Sequence, residues 1–306
     1  MRLGVSLAQA GPLADPVSVR SAATAAEQMG YASVWVSDCL APATSSPASD
    51  RRCTGSPTDE VVTTLDPLSV LTYAAAVTTR VRLGTSVLVA PWYRPSLLAR
   101  SLRSLDVLSD GRLTVGLGLG WPLDEYAALG VPEHELGRRL DDALDLLDAM
   151  AAGPSVPSSA DEDPSPIVPG ARARRRPPVL LSTYTPAGLD RVARRADGWN
   201  PSGLPVEQLA PLWASVRDLA ATHGREPDAL ELVVRADIAI SEHPIDGERP
   251  SYAGTVEQVA ADIADTRRAG AHEVILGVRG DHALDQALDT YARIAETVDV
   301  TAMASR

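Results

Sequence analysis

Three short runs in this 306-residue chain have residue types and spacing suited to chemistry. In "SVWVSDCL" (33–40), Asp38 and Cys39 close an apolar run. A carboxylate there accepts hydrogen bonds from a bound ligand or caps the loop that follows, and the residue types leave both roles open. A thiol works as an acid/base or nucleophile where its pKa is lowered, but no His or Lys lies nearby in sequence to lower that of Cys39. A small apolar filler is the alternative for it. In "LTVGLGLGWPLDEYAALG" (113–130), Gly116, Gly118 and Gly120 precede Trp121 and Asp124. These glycines either hold a phosphate against bare backbone or let a strand end in crowded surroundings, and their G-x-G-x-G spacing is not the dinucleotide fingerprint. In "LLSTYTPAGLDRVARRADGW" (180–199), Ser182, Thr183, Tyr184 and Thr185 run into a helix with Pro186 in its first turn. Hydroxyls and N–H groups at a helix N-terminus bind phosphate without a cationic side chain, and helix capping by Thr185 is the alternative. Arg191, Arg194 and Arg195 lie further along that helix and read as surface residues.

Other chemistries find little support. All 28 basic residues are Arg, which excludes a lysine Schiff base. The five histidines, at 134, 223, 243, 272 and 282, have no paired metal-ligand spacing, so no metal is expected. No G-x-S-x-G elbow follows a strand. Asp124 and Glu125 are adjacent, so on a helix they do not face each other. A net charge of −12 argues against nucleic acid as a partner. No apolar stretch reaches membrane-spanning length. Two cysteines, Cys39 and Cys53, fit a reducing compartment, and the short N-terminal apolar run is no signal core; a cytoplasmic protein is expected.

These residues need elements to hold them. Apolar runs at 2–7, 32–37, 81–89, 112–118, 178–183, 197–202, 230–240 and 273–278 read as strands. Helical patterns follow at 17–30, 66–79, 95–109, 186–195, 206–223, 255–269 and 282–298, and a further helix carries Leu136, Leu140, Leu144 and Leu147 on one face. Asp66 and Pro67 form a helix start. Strands alternating with helices imply a parallel sheet with right-handed crossovers. Eight such units fit a (β/α)8 TIM barrel, with active-site residues at the C-terminal strand ends. A doubly wound sheet would place its glycine turn after the first strand, and "AQAGPLADP" follows there instead. The expected organisation is one domain over 1–306, with irregular insertions at 40–64, after the second strand, and at 152–177, before the fifth. The arginines at 172–176 either hold an anionic tail or form a solvated hinge.

"SVWVSDCL", the block from Arg80 to Gly130 and "RRADGWNPSG" (194–203) resemble the bacterial luciferase-like monooxygenase family, above all its coenzyme F-420-dependent oxidoreductase branch. The resemblance implies a TIM barrel that binds a reduced flavin or deazaflavin in its mouth, passes hydride to a small-molecule substrate, and forms a homodimer. FMN in a monooxygenase, or a barrel without catalysis that acts as a binding protein, are the alternatives. Residue by residue, it implies a non-prolyl cis peptide at Ser86-Val87 behind the ring, and Leu119, Gly120 and Asp124 along the ring and its side chain. It also implies a phosphate at Ser182 to Thr185 and a flat ring over Gly118. Relatives usually have His at the position of Cys39, and one sugar-phosphate dehydrogenase group has Glu at that of Trp121. A thiol of ordinary pKa is a proton donor rather than a base at neutral pH. Trp121 transfers no proton, which points away from sugar phosphates and toward a larger, more apolar substrate.

Overall fold

A strand inside a barrel has two interiors to fill, one under the helices and one within the barrel, so its side chains alternate between them and apolar residues fall on both faces. A computed structural model of the chain describes residues 1–39, 64–120, 126, 129–151, 176–278 and 283–299. The strands are β1 (Arg2–Ser6), β2 (Ser33–Val36), β3 (Arg82–Thr85), β4 (Leu88–Val89), β5 (Leu113–Gly118), β6 (Val179–Ser182), β7 (Gly198–Trp199), β8 (Glu231–Ile240), β9 (Ala253–Gly254) and β10 (Glu273–Val278). All ladders are parallel, in the order β10-β1-β2-β3-β5-β6-β7-β8, and β8 pairs back with β10 to close an eight-stranded barrel. Short β4 and β9 extend the wall beside β5 and β8.

Helices α1 (Pro16–Met29), α2 (Pro67–Val77), α3 (Pro95–Leu108), α4 (Leu136–Ala151), α5 (Pro186–Arg195), α6 (Val206–Thr222), α7 (Val256–Arg268) and α8 (Leu284–Val298) surround it. Their starts are set locally. Asp15 caps α1 through the Val17 and Ser18 N–H groups, and the expected Asp66–Pro67 start holds, with Asp66 accepting from Ser69 N at 2.7 Å. Thr255 and Gln258 form a capping box on α7. Outward strand residues such as Leu3, Val34, Leu83, Val115, Leu181 and Val234 join the helices in the main core.

Inside, the registers stack side chains in layers. The N-terminal end holds an ion cluster of Arg2, Arg82, Glu231 and Glu273. Above it Trp35, Leu180, Val233 and Ile275 form an apolar plug. Gly4 and Gly84 belong to this layer because Trp35 occupies the space a β-carbon would need at either.

Two local expectations change. The run 81–89 is two strands, β3 and β4, parted at Ser86-Val87, where the peptide bond is cis. Arg191 and Arg195 are not simple surface residues. Arg191 makes a two-point pair with Asp141 of α4 (2.7 and 3.0 Å), and Arg195 bonds Asp145 and Asp148, tying α5 to α4. The insertions fall almost wholly outside the described residues, as do Arg172, Arg174 and Arg175. Arg176 is described, and it pairs with Asp148 and Asp197 as a structural clasp rather than standing open for an anion.

Candidate active site

Asp38 stands at the end of β2, half-buried, and its carboxylate is spent on the wall of the mouth. Oδ2 accepts from the Val89 N–H (3.1 Å) and the Tyr93 hydroxyl (2.7 Å), while the Asp38 N–H donates to the Val87 carbonyl (3.0 Å). Of the two roles open to this residue, the described contacts are those of a local clamp that ties β2 to β4. Burial pushes the carboxyl up to about 6, against the hydrogen bonds from Tyr93 and Val89 that pull it down, and Asp66 adds a like charge. Burial, with the charge of Asp38, also raises the Tyr93 hydroxyl. Cys39 follows, half-buried.

The glycines of β5 make room for one side chain. A β-carbon on Gly118 would lie 2.7 Å from Val87 Cγ2, and one on Gly116 would run into the Thr85 carbonyl and lie 3.2 Å from Val87 Cγ1. Thr85 fastens the two strands, its hydroxyl donating to the Gly116 carbonyl (2.9 Å) and accepting from the Gly116 N–H (2.8 Å). Gly120 takes a positive φ of 74° beside Val89, and Leu119 packs against the core. The glycines therefore seat Val87, and the half-buried Val87 side chain forms the surface above them. Ser86 fixes the other side of this step, its N–H donating to the Val36 carbonyl (2.7 Å) and its own carbonyl accepting from Arg235 Nη1 (2.8 Å).

Ser182 ends β6 directly opposite Gly118 in the ladder, so the hydroxyl run adjoins the Val87 step. The run divides in two. Thr185 caps α5, accepting from the Gly188 N–H (3.1 Å), and the Tyr184 hydroxyl donates to the Ser202 carbonyl and accepts from the Ser202 N–H, both at 2.8 Å. The hydroxyls of Ser182 and Thr183 have no partner among the described residues. Thr183 Oγ1 lies over the first turn of α5, in the space a side chain at Gly188 would fill. Pro186 lacks an N–H, and those of Gly188 and Leu189 are used by Thr185, which leaves the Ala187 N–H for an outside acceptor. Trp121 and Asp124 lie outside the described residues. Among the described residues no cluster of three metal-ligating side chains occurs, and no helix is long and apolar enough to cross a membrane.

The luciferase-like monooxygenase family model matches residues 1–272. The chain belongs to the luciferase-like monooxygenase family. An uncharacterized protein of Mycobacterium tuberculosis is 36% identical over 198 residues, 60% of this chain and 64% of its own length. The match thus spans slightly less than two thirds of that relative. Among solved structures, a monooxygenase from Streptomyces bottropensis superposes with a TM-score of 0.78 at 24% identity, covering 97% of this chain and 98% of that one. The coenzyme F-420-dependent tetrahydromethanopterin reductase of Methanopyrus kandleri superposes with a TM-score of 0.70 at 15% identity, covering 95% and 97%.

Within this luciferase-like barrel, sequence reasoning missed Arg235 and gave no role to Asn200, which it places at a C-terminal strand end. Arg235 lies inward on β8, pairs through Nε with Asp237 Oδ1 (3.2 Å), and reaches the Ser86 carbonyl. Both line a cleft of about 610 Å³ that opens over β8 and β9. Asn200 is buried; its Nδ2 donates to the Val233 carbonyl (2.7 Å) and its Oδ1 has no partner among the described residues. Arg235 had a signal: a charge inside the apolar run 230–240, at the inward parity of the strand.

Proposed function

We propose that this luciferase-like protein is a coenzyme F-420-dependent oxidoreductase that moves a hydride between the deazaflavin and a small organic molecule. The observation that carries the reading is the juxtaposition of the Val87 step with the uncommitted hydroxyls of Ser182 and Thr183 on neighbouring strand ends. A flat ring with a phosphate-bearing tail needs an apolar surface and hydrogen-bond donors a short distance apart, and these residues fit that need. A bound deazaflavin supplies a carbon centre that gives or accepts hydride. Val87, seated on Gly116 and Gly118, would back the ring, while Ser182, Thr183 and the Ala187 N–H would hold the phosphate. Hydroxyls would do most of that holding, because one helix N–H remains. Asp38 would keep the wall in place, and the Cys39 thiol would be a proton donor at neutral pH. The same reading carries a homodimer in the cytoplasm. Likeness to the Methanopyrus reductase supports the deazaflavin; likeness to the Streptomyces monooxygenase supports a second reading, a monooxygenase on the same residues, for which FMN would be the cofactor.

Titration of the purified protein with F-420 and with FMN, followed by ring absorbance or fluorescence, tests this. Saturable binding of F-420 in preference to FMN is expected; preference for FMN favours the second reading, and binding of neither at tens of micromolar defeats both. Ser182→Glu and Thr183→Glu put a charge against the phosphate and should each weaken binding by about tenfold or more. Unchanged affinity in both variants would remove the phosphate from β6.

A further inference from the structure

We infer that Arg235 is the group that receives the oxygen on the substrate's reacting carbon, and that the substrate is an uncharged carbonyl compound or the matching alcohol. This rests on the hydride-transfer reading above. β8 and β3 stand opposite each other in the barrel, four steps apart by way of β5, β6 and β7 and four by way of β2, β1 and β10. The Arg235 side chain bridges them, from its own strand to the Ser86 carbonyl that follows β3. It therefore lies at the seam between two halves of the mouth. One half, over β3 to β6, carries Val87, Ser182 and Thr183. The other is the cleft over β8 and β9, walled by Leu204, Pro205, Ala239 and Tyr252. A ring in the first half and a substrate in the second meet at Arg235.

A guanidinium has five N–H donors. Arg235 uses one on Ser86 and one on Asp237, and the rest have no partner among the described residues. Its side chain is only 19% exposed. Donors fixed in such a place suit an oxygen that gains negative charge as the reaction proceeds. The rest of the cleft sets the net charge it tolerates. Asp237 balances Arg235, and Arg249 is taken by Asp262 through two bonds of 2.6 and 2.7 Å. Glu207 and Glu248 stand exposed on the rim with no cation paired to them among the described residues, which disfavours an anionic substrate. A cleft of about 610 Å³ lies within the usual range for small organic ligands. In the reduction direction the carbonyl carbon gains a hydride and forms a C–H bond, and the C=O π pair moves onto oxygen. That oxygen, held by Arg235, would take a proton from water, the hydride and its electron pair being what a reduced deazaflavin would supply.

The test compares binding of 2-tetralone with that of tetralin, its oxygen-free counterpart, by calorimetry or saturation-transfer NMR. Wild-type protein should prefer the ketone by about tenfold. Arg235→Met should lose that preference while still binding tetralin. Arg235→Lys keeps a donor for the Ser86 carbonyl, so it should melt near wild type and retain only part of the preference. Equal affinity of the wild type for both compounds, or a preference that survives Arg235→Met, overturns the assignment. Binding of 2-naphthoate as tight as that of 2-tetralone overturns the uncharged class. The F-420 titration is read separately: a protein that binds no deazaflavin yet shows the Arg235-dependent preference refutes the proposed cofactor and supports the oxygen site.

Discussion

Asp38 places an ionisable carboxyl in a half-buried corner where its charge is disfavoured, and the consequence for stability has a definite sign. Its folded pKa of about 6 lies above the ordinary carboxylate value of 3.8. Between those values the folded chain binds the proton more tightly than the unfolded chain, so stability falls as pH rises through this window and the loss is complete above it. Asp38→Asn keeps an oxygen for the Val89 N–H and Tyr93 hydroxyl but cannot ionise. The wild-type-minus-variant difference in unfolding free energy should therefore fall by about 2 kcal/mol from pH 4 to pH 7. A difference that stays flat, measured by urea denaturation, would show that the carboxyl ionises normally. The residues at strand ends were legible in the sequence because barrel chemistry is confined to those ends. What each hydroxyl and carboxylate bonds to was not. Thr185 and Tyr184 look like Ser182 and Thr183 on paper, and only the positions of Gly188 and Ser202, set by the fold, separate the capping pair from the uncommitted pair.

β3 shows how one element is shaped by another. Gly84 faces Trp35 across the β2–β3 ladder, and Trp35 is 1% exposed. A β-carbon at 84 would meet the Cε3, Cζ3 and Cδ2 atoms of the indole, which has nowhere to move within the barrel plug. Gly84→Ala should cost about 2–3 kcal/mol in unfolding free energy, by overpacking. Combining it with Trp35→Leu should recover part of that loss, since the two changes share one volume, and a strictly additive double variant would mean that they do not compete. The element pattern was readable because the strands are short, largely apolar runs and most helices carry a local start signal. The exceptions have local causes. β7 is short because Pro201 has no N–H for the ladder, which resumes only at the Ser202–Arg235 bridge. β4 separates from β3 where the chain turns through Ser86-Val87, a step that hydrophobic spacing does not encode.

Across the whole molecule the barrel's two ends hold different kinds of polarity. At the C-terminal mouth, Ser182, Thr183 and Arg235 keep hydrogen-bonding capacity open. At the N-terminal end, polar groups are used up on each other. Glu273, with a fully buried side chain, accepts from Arg2, Arg82 and Ser33, and from Trp35 Nε1 at 3.2 Å. Arg2 also reaches Glu231, whose carboxyl burial would raise but which the Arg2 hydrogen bond holds below its usual value. That division matches the barrel rule that the N-terminal face serves stability and the C-terminal face chemistry. Glu273→Gln removes the charge that two arginines share. A buried pair broken on one side costs about 3–5 kcal/mol, and here somewhat less, because Arg2 keeps Glu231 and both guanidinium groups reach solvent. We expect a loss of about 2–4 kcal/mol in urea denaturation. The apolar plug of Trp35, Leu180, Val233 and Ile275 lies between that cluster and the mouth. On the proposed function, affinity for F-420 in the folded variant should therefore stay within about twofold of wild type, since sites that share no partner act independently. A variant that lost cofactor affinity in step with its stability would show instead that the plug transmits strain from one end of the barrel to the other.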